Sequence, residues 1–171
     1  MDEFGLIKHY FAPLAERYSG SLGLSDDAAV VEVPPGKSLV VTKDAISQGI
    51  HFIGNEDAAL IAKKLLRVNL SDLAAMGASP LCYFLAAMFP KNIEESWIAR
   101  FAEGLKEDQQ RYGITLAGGD TIATGGMLSF SVTALGTVEE GKALRRNGAK
   151  PGDIIYVSGT LGDSALGLKV F

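Results

Sequence analysis

Aspartates at the ends of predicted strands are the residues of this 171-residue chain best suited to chemistry. Asp26 and Asp27 directly precede one predicted strand, and Asp44 directly follows the next. Asp120 follows a third, within the segment Gly118 to Thr121. Each aspartate alone is better explained as a turn residue or a cap. Together they favour a cleft for Mg²⁺ and phosphate, because Mg²⁺ takes one or two carboxylates plus waters and phosphate oxygens.

A further aspartate lies on the apolar face of a long predicted helix, Glu56 to Met76. Residues on this face recur in steps of three and four: Ile61, Leu65, Val68, Asp72 and Met76. The spacing therefore predicts that Asp72 is buried, where a carboxylate needs a cation, hydrogen-bond donors or a metal. Metal binding, capping of a neighbouring segment, and pairing with Arg67 or a lysine all remain open.

The elements that must position these acids are predicted from periodicity and breakers. Helices are expected over Phe4 to Tyr18, over Glu56 to Met76, from an N-cap at Asn92 with Glu95 in the capping-box position to Tyr112, and from about Asp163. Strands are expected over Ala28 to Val33, Ser38 to Lys43, Leu81 to Phe89, Thr115 to Ala117, Leu128 to Gly136 and Ile154 to Ser158. Pro34 to Gly36 would join the first two strands as a hairpin. Because regular βα alternation is missing, the order predicts an α+β fold with a mixed or antiparallel sheet and helices on one face.

The composition excludes several classes of protein. Hydrophobic residues make up 47% and charged residues 21%, which is a globular balance without a sign of disorder. The net charge of −4, with no basic cluster among aromatics, argues against a nucleic-acid partner. The acidic N-terminus and a longest apolar run of only Leu81 to Phe89 argue against a signal peptide and a membrane span. With Cys82 as its single cysteine, the chain is expected to be cytoplasmic and without disulfides.

Two familiar site patterns are not supported. The segment Gly136 to Ala143 nearly matches a phosphate loop, but Ala143 stands where a hydroxyl must hold magnesium. With His9 and His51 as the only histidines and no true nucleophile elbow, a hydrolase triad is not supported.

Several segments together resemble the thiamine-monophosphate kinase family. Asn69 to Ala78 is similar to its signature helix, and Gly118 to Thr121 resembles its phosphate loop. Three further segments are similar to those of the family: Gly49 to Phe52, Arg146 to Asp153, and Gly159 to Ala165. The resemblance covers essentially the whole chain. It implies a fold shared with aminoimidazole-ribonucleotide synthetase, selenophosphate synthetase and a hydrogenase-maturation protein, in which N-terminal domains pair into a barrel-like homodimer with ATP near the interface.

The resemblance also implies roles for individual residues. The implied ligands of several Mg²⁺ ions are Asp27, Thr42, Asp44, Asp72 and Asp120. The implied contacts to ATP are Gly119, Asp120 and Arg146, and the implied contact to the thiamine substrate is His51. Two positions depart from the family pattern: Ser25 replaces a usual glycine, and Lys43 replaces a usual threonine before Asp44. An ammonium at Lys43 would lie beside a cation site and puts the number of ions in doubt.

The implied activity is ATP-dependent phosphorylation of thiamine monophosphate to thiamine diphosphate. Two alternatives stay open: another ATP-dependent synthetase of the superfamily, and a non-catalytic nucleotide-binding or dimerisation module. Selenophosphate synthetase is disfavoured because Cys82 lies in mid-strand. Residues 1–150 are expected to form the ATP- and Mg²⁺-binding domain, and residues 151–171 to begin a truncated second domain, since the chain ends at Phe171 inside a predicted helix. We expect the fragment alone to be inactive.

Overall fold

The computed structural model describes residues 3–170, in which four strands form one mixed sheet. The strands are β1 (Lys37–Ser47), β2 (Ser79–Pro90), β3 (Thr115–Thr124) and β4 (Ser129–Glu139). β4 runs antiparallel to both β1 and β2, while β3 runs parallel to β2, so the order is β1-β4-β2-β3. The predicted α+β class is confirmed, and β1 and β3 are the two edges of the sheet.

Two long helices, α3 (Ala58–Ala75) and α4 (Glu95–Tyr112), cover one face of this sheet. The Asp57 side chain caps α3 by accepting the Ala59 N–H at 2.9 Å, and α4 ends at Gly113 in the left-handed conformation that glycine favours. The parallel pairing of β2 with β3 requires a long crossover, which α4 supplies. Shorter elements are α1 (Glu3–Leu6), a π-helical turn (Ile7–Phe11), α2 (Ala12–Ala15), 3₁₀ turns (Ser19–Leu24 and Arg146–Gly148) and α5 (Asp163–Leu168).

The core lies between this helical layer and the sheet. An aromatic cluster joins the layers: Trp97 and Phe101 of α4 stack on Phe130 of β4, with ring centroids 6.1 and 4.7 Å away. Leu65 and Leu66 of α3 are fully buried beside them. Burial of such apolar side chains is the main favourable contribution to folding. Within residues 3–170, no helix has both the length and the apolar character needed to span a membrane.

Two predicted strands are absent from the described sheet. Ala28–Val33 lies outside the described strands and does not pair with β1, so the predicted hairpin is wrong. Its Val30 N–H donates instead to the Gly20 carbonyl at 2.8 Å, which ties this segment to the 3₁₀ turn Ser19–Leu24. Residues 154–158 are also unpaired, and the side chains of Ile155 and Tyr156 are 89% and 85% exposed.

The helix boundaries show one further correction. α4 begins at Glu95 with Glu94 as its N-cap, so the predicted cap at Asn92 is wrong. A turn in which the Ile93 N–H donates to the Pro90 carbonyl at 3.0 Å delays the first helical residue. The predicted helix from Asp163 is confirmed as α5, whereas Phe171 lies outside the described residues.

Candidate functional site

One acidic group lies where the C-terminal half of α3 meets the edge strand β1, and we call it the α3–β1 corner (Thr42, Asp44, Asn69 and Asp72). The Thr42 hydroxyl donates to Asp72 Oδ2 at 2.7 Å. The Asp44 N–H donates to the Asn69 side-chain oxygen at 3.1 Å. Because alternate residues of a strand share a face, Thr42 and Asp44 both lie on the helical side of β1. The corner therefore brings together three of the predicted magnesium ligands.

Asp72 is exposed, so the prediction that it is buried is wrong. The buried stripe of α3 passes through Leu65, Leu66, Asn69 and Leu73 instead, while Val68 is only partly buried. The reason is a rotation of the helix: packing of the two leucines against the sheet turns Asn69 inward and Asp72 toward the rim. An exposed carboxylate bonded to a hydroxyl is free to exchange that bond for a cation.

A second acidic group lies at the opposite edge of the sheet, around a cavity of about 550 Å³ that we call the β3 cavity. Asp26, Asp27 and Asp120 all line it, together with Gly118 and Gly119. The remaining lining residues come from the N-terminal helical segment, the Ser21–Ala29 segment, β2 and β3. The predicted ATP contacts Gly119 and Asp120 thus share a cavity with the predicted ligand Asp27.

The backbone around the β3 cavity is unusual. Leu22 and Leu24 have φ angles of 52° and 55°, a left-handed conformation that is rare and strained for residues other than glycine. Gly119 has a φ of 155°, and a Cβ atom there would lie 1.9 Å from the Leu85 carbonyl oxygen. Only glycine fits at this position of β3. Such close, exposed backbone is the kind of surface that phosphate groups approach.

The two acidic groups lie at the same level of the sheet but on different edges. Asp44 pairs with Val132, Val132 with Leu85, and Leu85 with Gly119, so one row crosses all four strands. Three strand spacings put the edges roughly 14 Å apart. Among the described residues, no three His, Cys, Asp or Glu side chains come close enough to hold a metal ion by themselves.

His51, the predicted substrate contact, lies in the exposed loop that follows β1. Its Nδ1 accepts the Ser47 N–H at 3.2 Å, and the Lys64 ammonium donates to its carbonyl oxygen. With Nδ1 as an acceptor, the neutral ring carries its proton on Nε2. The side chain is therefore held in one tautomer at the end of the strand that carries Thr42 and Asp44.

Arg146, the predicted ATP contact, is exposed on the 3₁₀ turn after β4. Its neighbours Arg145 and Asn147 line a broad groove of about 970 Å³ beside β1. The Leu144 N–H donates to the Met76 carbonyl at 3.0 Å, which ties this segment to the end of α3 that carries Asp72. Arg146 thus belongs to the side of the molecule that holds the α3–β1 corner.

Comparison with known proteins decides the family. The family model described as "AIR synthase related protein, N-terminal domain" matches residues 25–138, which include both acidic groups. The chain belongs to this family.

Curated members and solved structures extend the match beyond that domain. The chain is 48% identical over 97% of its length to the thiamine-monophosphate kinase of Caulobacter vibrioides, of which it covers 47%. The crystal structure of the thiamine-monophosphate kinase from Stenotrophomonas maltophilia is similar, with 46% identity, a TM-score of 0.85, and coverage of 99% of this chain and 53% of that one. AaThiL complexed with AMPPCP and TMP is 33% identical, with a TM-score of 0.76 and coverage of 98% and 52%. The chain spans about half the length of the curated relatives it matches.

Within this AIR synthase related domain, the two departures noted in the sequence have simple structural consequences. Ser25 has a φ of −112°, which any residue adopts, so the loop before Asp26 does not require glycine there. The Lys43 ammonium donates to the Thr133 hydroxyl at 3.3 Å on the sheet face opposite the helices. Since Thr42 and Asp44 lie on the helical face, the Lys43 side chain points away from the corner. Its charge does not occupy the place of a cation at Asp44.

Asn69 is the residue of the corner that sequence reasoning missed. It lies within the signature segment, but the apolar stripe that the spacing predicts passes through Val68 and Asp72 and leaves Asn69 out. Its position four residues after Leu65 was the available signal, since residues four apart share a helix face. Cys82, by contrast, is fully buried in β2, and burial raises the pKa of its thiol. It therefore has no part in this site.

Proposed function

We propose that this chain is the nucleotide- and Mg²⁺-binding domain of a thiamine-monophosphate kinase. The observation that carries the proposal is the arrangement of the five predicted ligands in two groups at one level of the sheet, beside a glycine-built cavity. The similarity to AaThiL complexed with AMPPCP and TMP supports the same pair of substrates for this chain.

The donor set of the domain fits Mg²⁺. Carboxylate and hydroxyl oxygens are hard ligands, and Mg²⁺ sites in phosphotransferases combine few carboxylates with substrate phosphates. We infer that Thr42, Asp44 and Asp72 hold ions at one edge, and that Asp27 and Asp120 hold ions at the other. When bound, Mg²⁺ would neutralise phosphate charge during transfer. The number of ions is left open.

The chain's own groups would bind and orient the two anionic reactants. Gly119 offers close backbone to the nucleotide phosphates, and the Arg146 guanidinium can donate in bidentate fashion to phosphate. His51 would donate from Nε2 to the thiamine substrate. In the transfer, an oxygen of the acceptor's phosphate forms a bond to the γ-phosphorus of ATP while the bond from that phosphorus to the β,γ-bridging oxygen breaks. The products are ADP and thiamine diphosphate, and no protein nucleophile is required.

We further propose that the domain acts as a homodimer in which two sheets close into a barrel. The two edge strands carry exposed apolar side chains. On β1, Leu39 and Val41 are 38% and 56% exposed, and on β3, Ile122 is 48% exposed. Closure would set β1 of one copy beside β3 of the other, about 4.8 Å apart. The two acidic groups would then form one site across the interface. A monomer in sedimentation at high micromolar concentration would contradict this assembly.

A second domain is also part of the proposal. We take residues 1–150 as the nucleotide domain and residues 151–171 as the start of the next, where Ile154, Ile155 and Tyr156 are strongly exposed. This second domain would cover the site and complete the acceptor contacts. Orientation of reactants can contribute on the order of 7–11 kcal/mol to a rate enhancement.

The test is thiamine diphosphate formation from ATP and thiamine monophosphate, with the full-length protein and residues 1–171 assayed side by side. We expect Mg²⁺-dependent turnover by the full-length protein and none above background by the fragment. Nucleotide binding without turnover by the full-length protein would favour a non-catalytic module. Turnover with a different acceptor would favour another synthetase of the superfamily. Equal turnover by the fragment would contradict the role given to the second domain.

A further inference from the structure

Asn69 is a polar side chain enclosed in the apolar interior of the domain. Its exposed fraction is 0%, and its neighbours on the helix stripe are Leu65, Leu66, Leu70 and Leu73. A buried amide is costly unless its donors and acceptor are bonded. Its Nδ2 donates to the Leu65 carbonyl at 3.0 Å, and its Oδ1 accepts the Asp44 N–H at 3.1 Å. The amide therefore joins α3 to the backbone of β1.

That bond fixes the main chain at Asp44. The Asp44 N–H is held by Asn69, and the Asp44 carbonyl oxygen accepts the Ser131 hydroxyl of β4 at 3.1 Å. Both main-chain groups of one residue are thus bonded to side chains from different elements. These two bonds, with the pairing of β1 and β4, restrain the backbone from which the Asp44 carboxylate projects.

The same bond sets the register of helix against strand. Asp72 lies three residues beyond Asn69, on the same side of α3 and about 4.5 Å further along its axis. It meets Thr42, which lies two residues before Asp44 on the same face of β1. The Thr42–Asp72 bond is exposed and can be exchanged, whereas the Asn69–Asp44 bond is part-buried and comes from a fully buried amide. The Asn69–Asp44 bond is therefore the contact of the corner that stays in place when the Thr42–Asp72 bond is exchanged.

We propose that Asn69 is a positioning residue for the cation site, holding Asp44 at a fixed distance from Asp72 without touching the ion. This role rests on the proposed function, in which both carboxylates serve Mg²⁺. It differs from an ordinary core contact because the bonded atom belongs to the backbone of an inferred ligand. Groups that orient the ligands of a metal typically contribute 10–100-fold to its affinity.

The test uses the full-length protein and the variant Asn69→Leu, which has similar volume but cannot accept the Asp44 N–H. Binding of a non-hydrolysable ATP analogue is measured by calorimetry over a series of Mg²⁺ concentrations. We expect the Mg²⁺ concentration for half-maximal binding to rise about 10-fold or more. The matched control is Leu105→Ala, a change at a fully buried residue of α4, for which we expect no rise in that concentration.

Asn69→Ser replaces the amide with a shorter hydroxyl and guards against loss of folding in Asn69→Leu. It should give an intermediate shift in Mg²⁺ dependence and faster hydrogen exchange at the Asp44 amide. An unchanged Mg²⁺ dependence in a folded Asn69 variant, or an equal shift in Leu105→Ala, would overturn the positioning role. If the wild-type protein itself showed no Mg²⁺-dependent nucleotide binding, the proposed function would fail, and the positioning role with it.

Discussion

The two acidic groups of this domain are built in different ways. At the α3–β1 corner, the side chains are held by hydrogen bonds between a long helix and a strand, with Asn69 buried beneath them. At the β3 cavity, the carboxylates of Asp27 and Asp120 line an opening shaped by glycine backbone and by a left-handed turn at Leu22 and Leu24. One group is positioned by side-chain contacts, and the other by backbone conformation.

This difference matters for what each region can bind. Carboxylates that project from a hydrogen-bonded helix and strand favour an ion that demands regular geometry, as Mg²⁺ does. An open cavity with close backbone favours a larger anionic group, such as the phosphates of a nucleotide. The two regions therefore complement each other, provided that both face the same ligand.

The most stringent test of whether the two regions serve one site is to neutralise one acid in each region. In the full-length protein, we expect Asp72→Asn and Asp120→Asn each to lower kcat/KM by about 10³-fold, because each removes charge from one electrostatic site. Glu140→Gln, an exposed acid beyond the end of β4, should leave kcat/KM unchanged. Steady-state kinetics with thiamine monophosphate measure the three variants. A large loss in only one of the two aspartate variants would mean that the regions do not serve one site.

Two neighbouring glycines test whether backbone shapes the β3 cavity. Gly119→Ala should cost about 2–3 kcal/mol of unfolding free energy, because its Cβ would meet the Leu85 carbonyl oxygen and the backbone must move. Gly118→Ala should cost less than about 1 kcal/mol, since its Cβ would lie 3.2 Å from ring atoms of Phe84, a side chain that can shift. Urea unfolding measures both free energies. Equal costs would show that the cavity does not depend on the backbone at Gly119.

The smallest expected effect is a change of stability with pH at Asp57, which lies away from both acidic groups. Hydrogen bonds from Arg100 and from the Ala59 N–H hold the pKa of Asp57 below its ordinary value of 3.8. A lowered folded-state pKa adds stability that is complete above the unfolded value and is lost as pH falls through the folded one. Asp57→Asn keeps a cap oxygen but removes the charge.

We therefore expect the stability difference between the wild type and Asp57→Asn to shrink as the pH falls below 3.8. Urea unfolding at pH 6 and near pH 3 measures it. A difference that is the same at both pH values would show that the cap, and not the charge pair with Arg100, holds the start of α3.

Much of the local structure follows from the sequence alone. The apolar spacing predicts α3 to within two residues of its observed start, Ala58, and one of its observed end, Ala75. The apolar run from Leu81 predicts the buried strand β2, and Gly113 marks the end of α4. These features depend on neighbours a few residues apart, so periodicity and breakers suffice to find them.

Strand pairing and helix rotation depend on contacts between residues far apart in the sequence, so only the tertiary structure shows them. It paired β1 with β4 and left Ala28–Val33 unpaired, although the nearer segment looked like the natural partner. It also turned Asn69 inward and Asp72 outward, because the rotation of α3 is set by how Leu65 and Leu66 pack on the sheet. The sequence alone identifies which aspartates are candidates for the site. Their division between opposite edges of the sheet comes from the strand order, which local spacing does not encode.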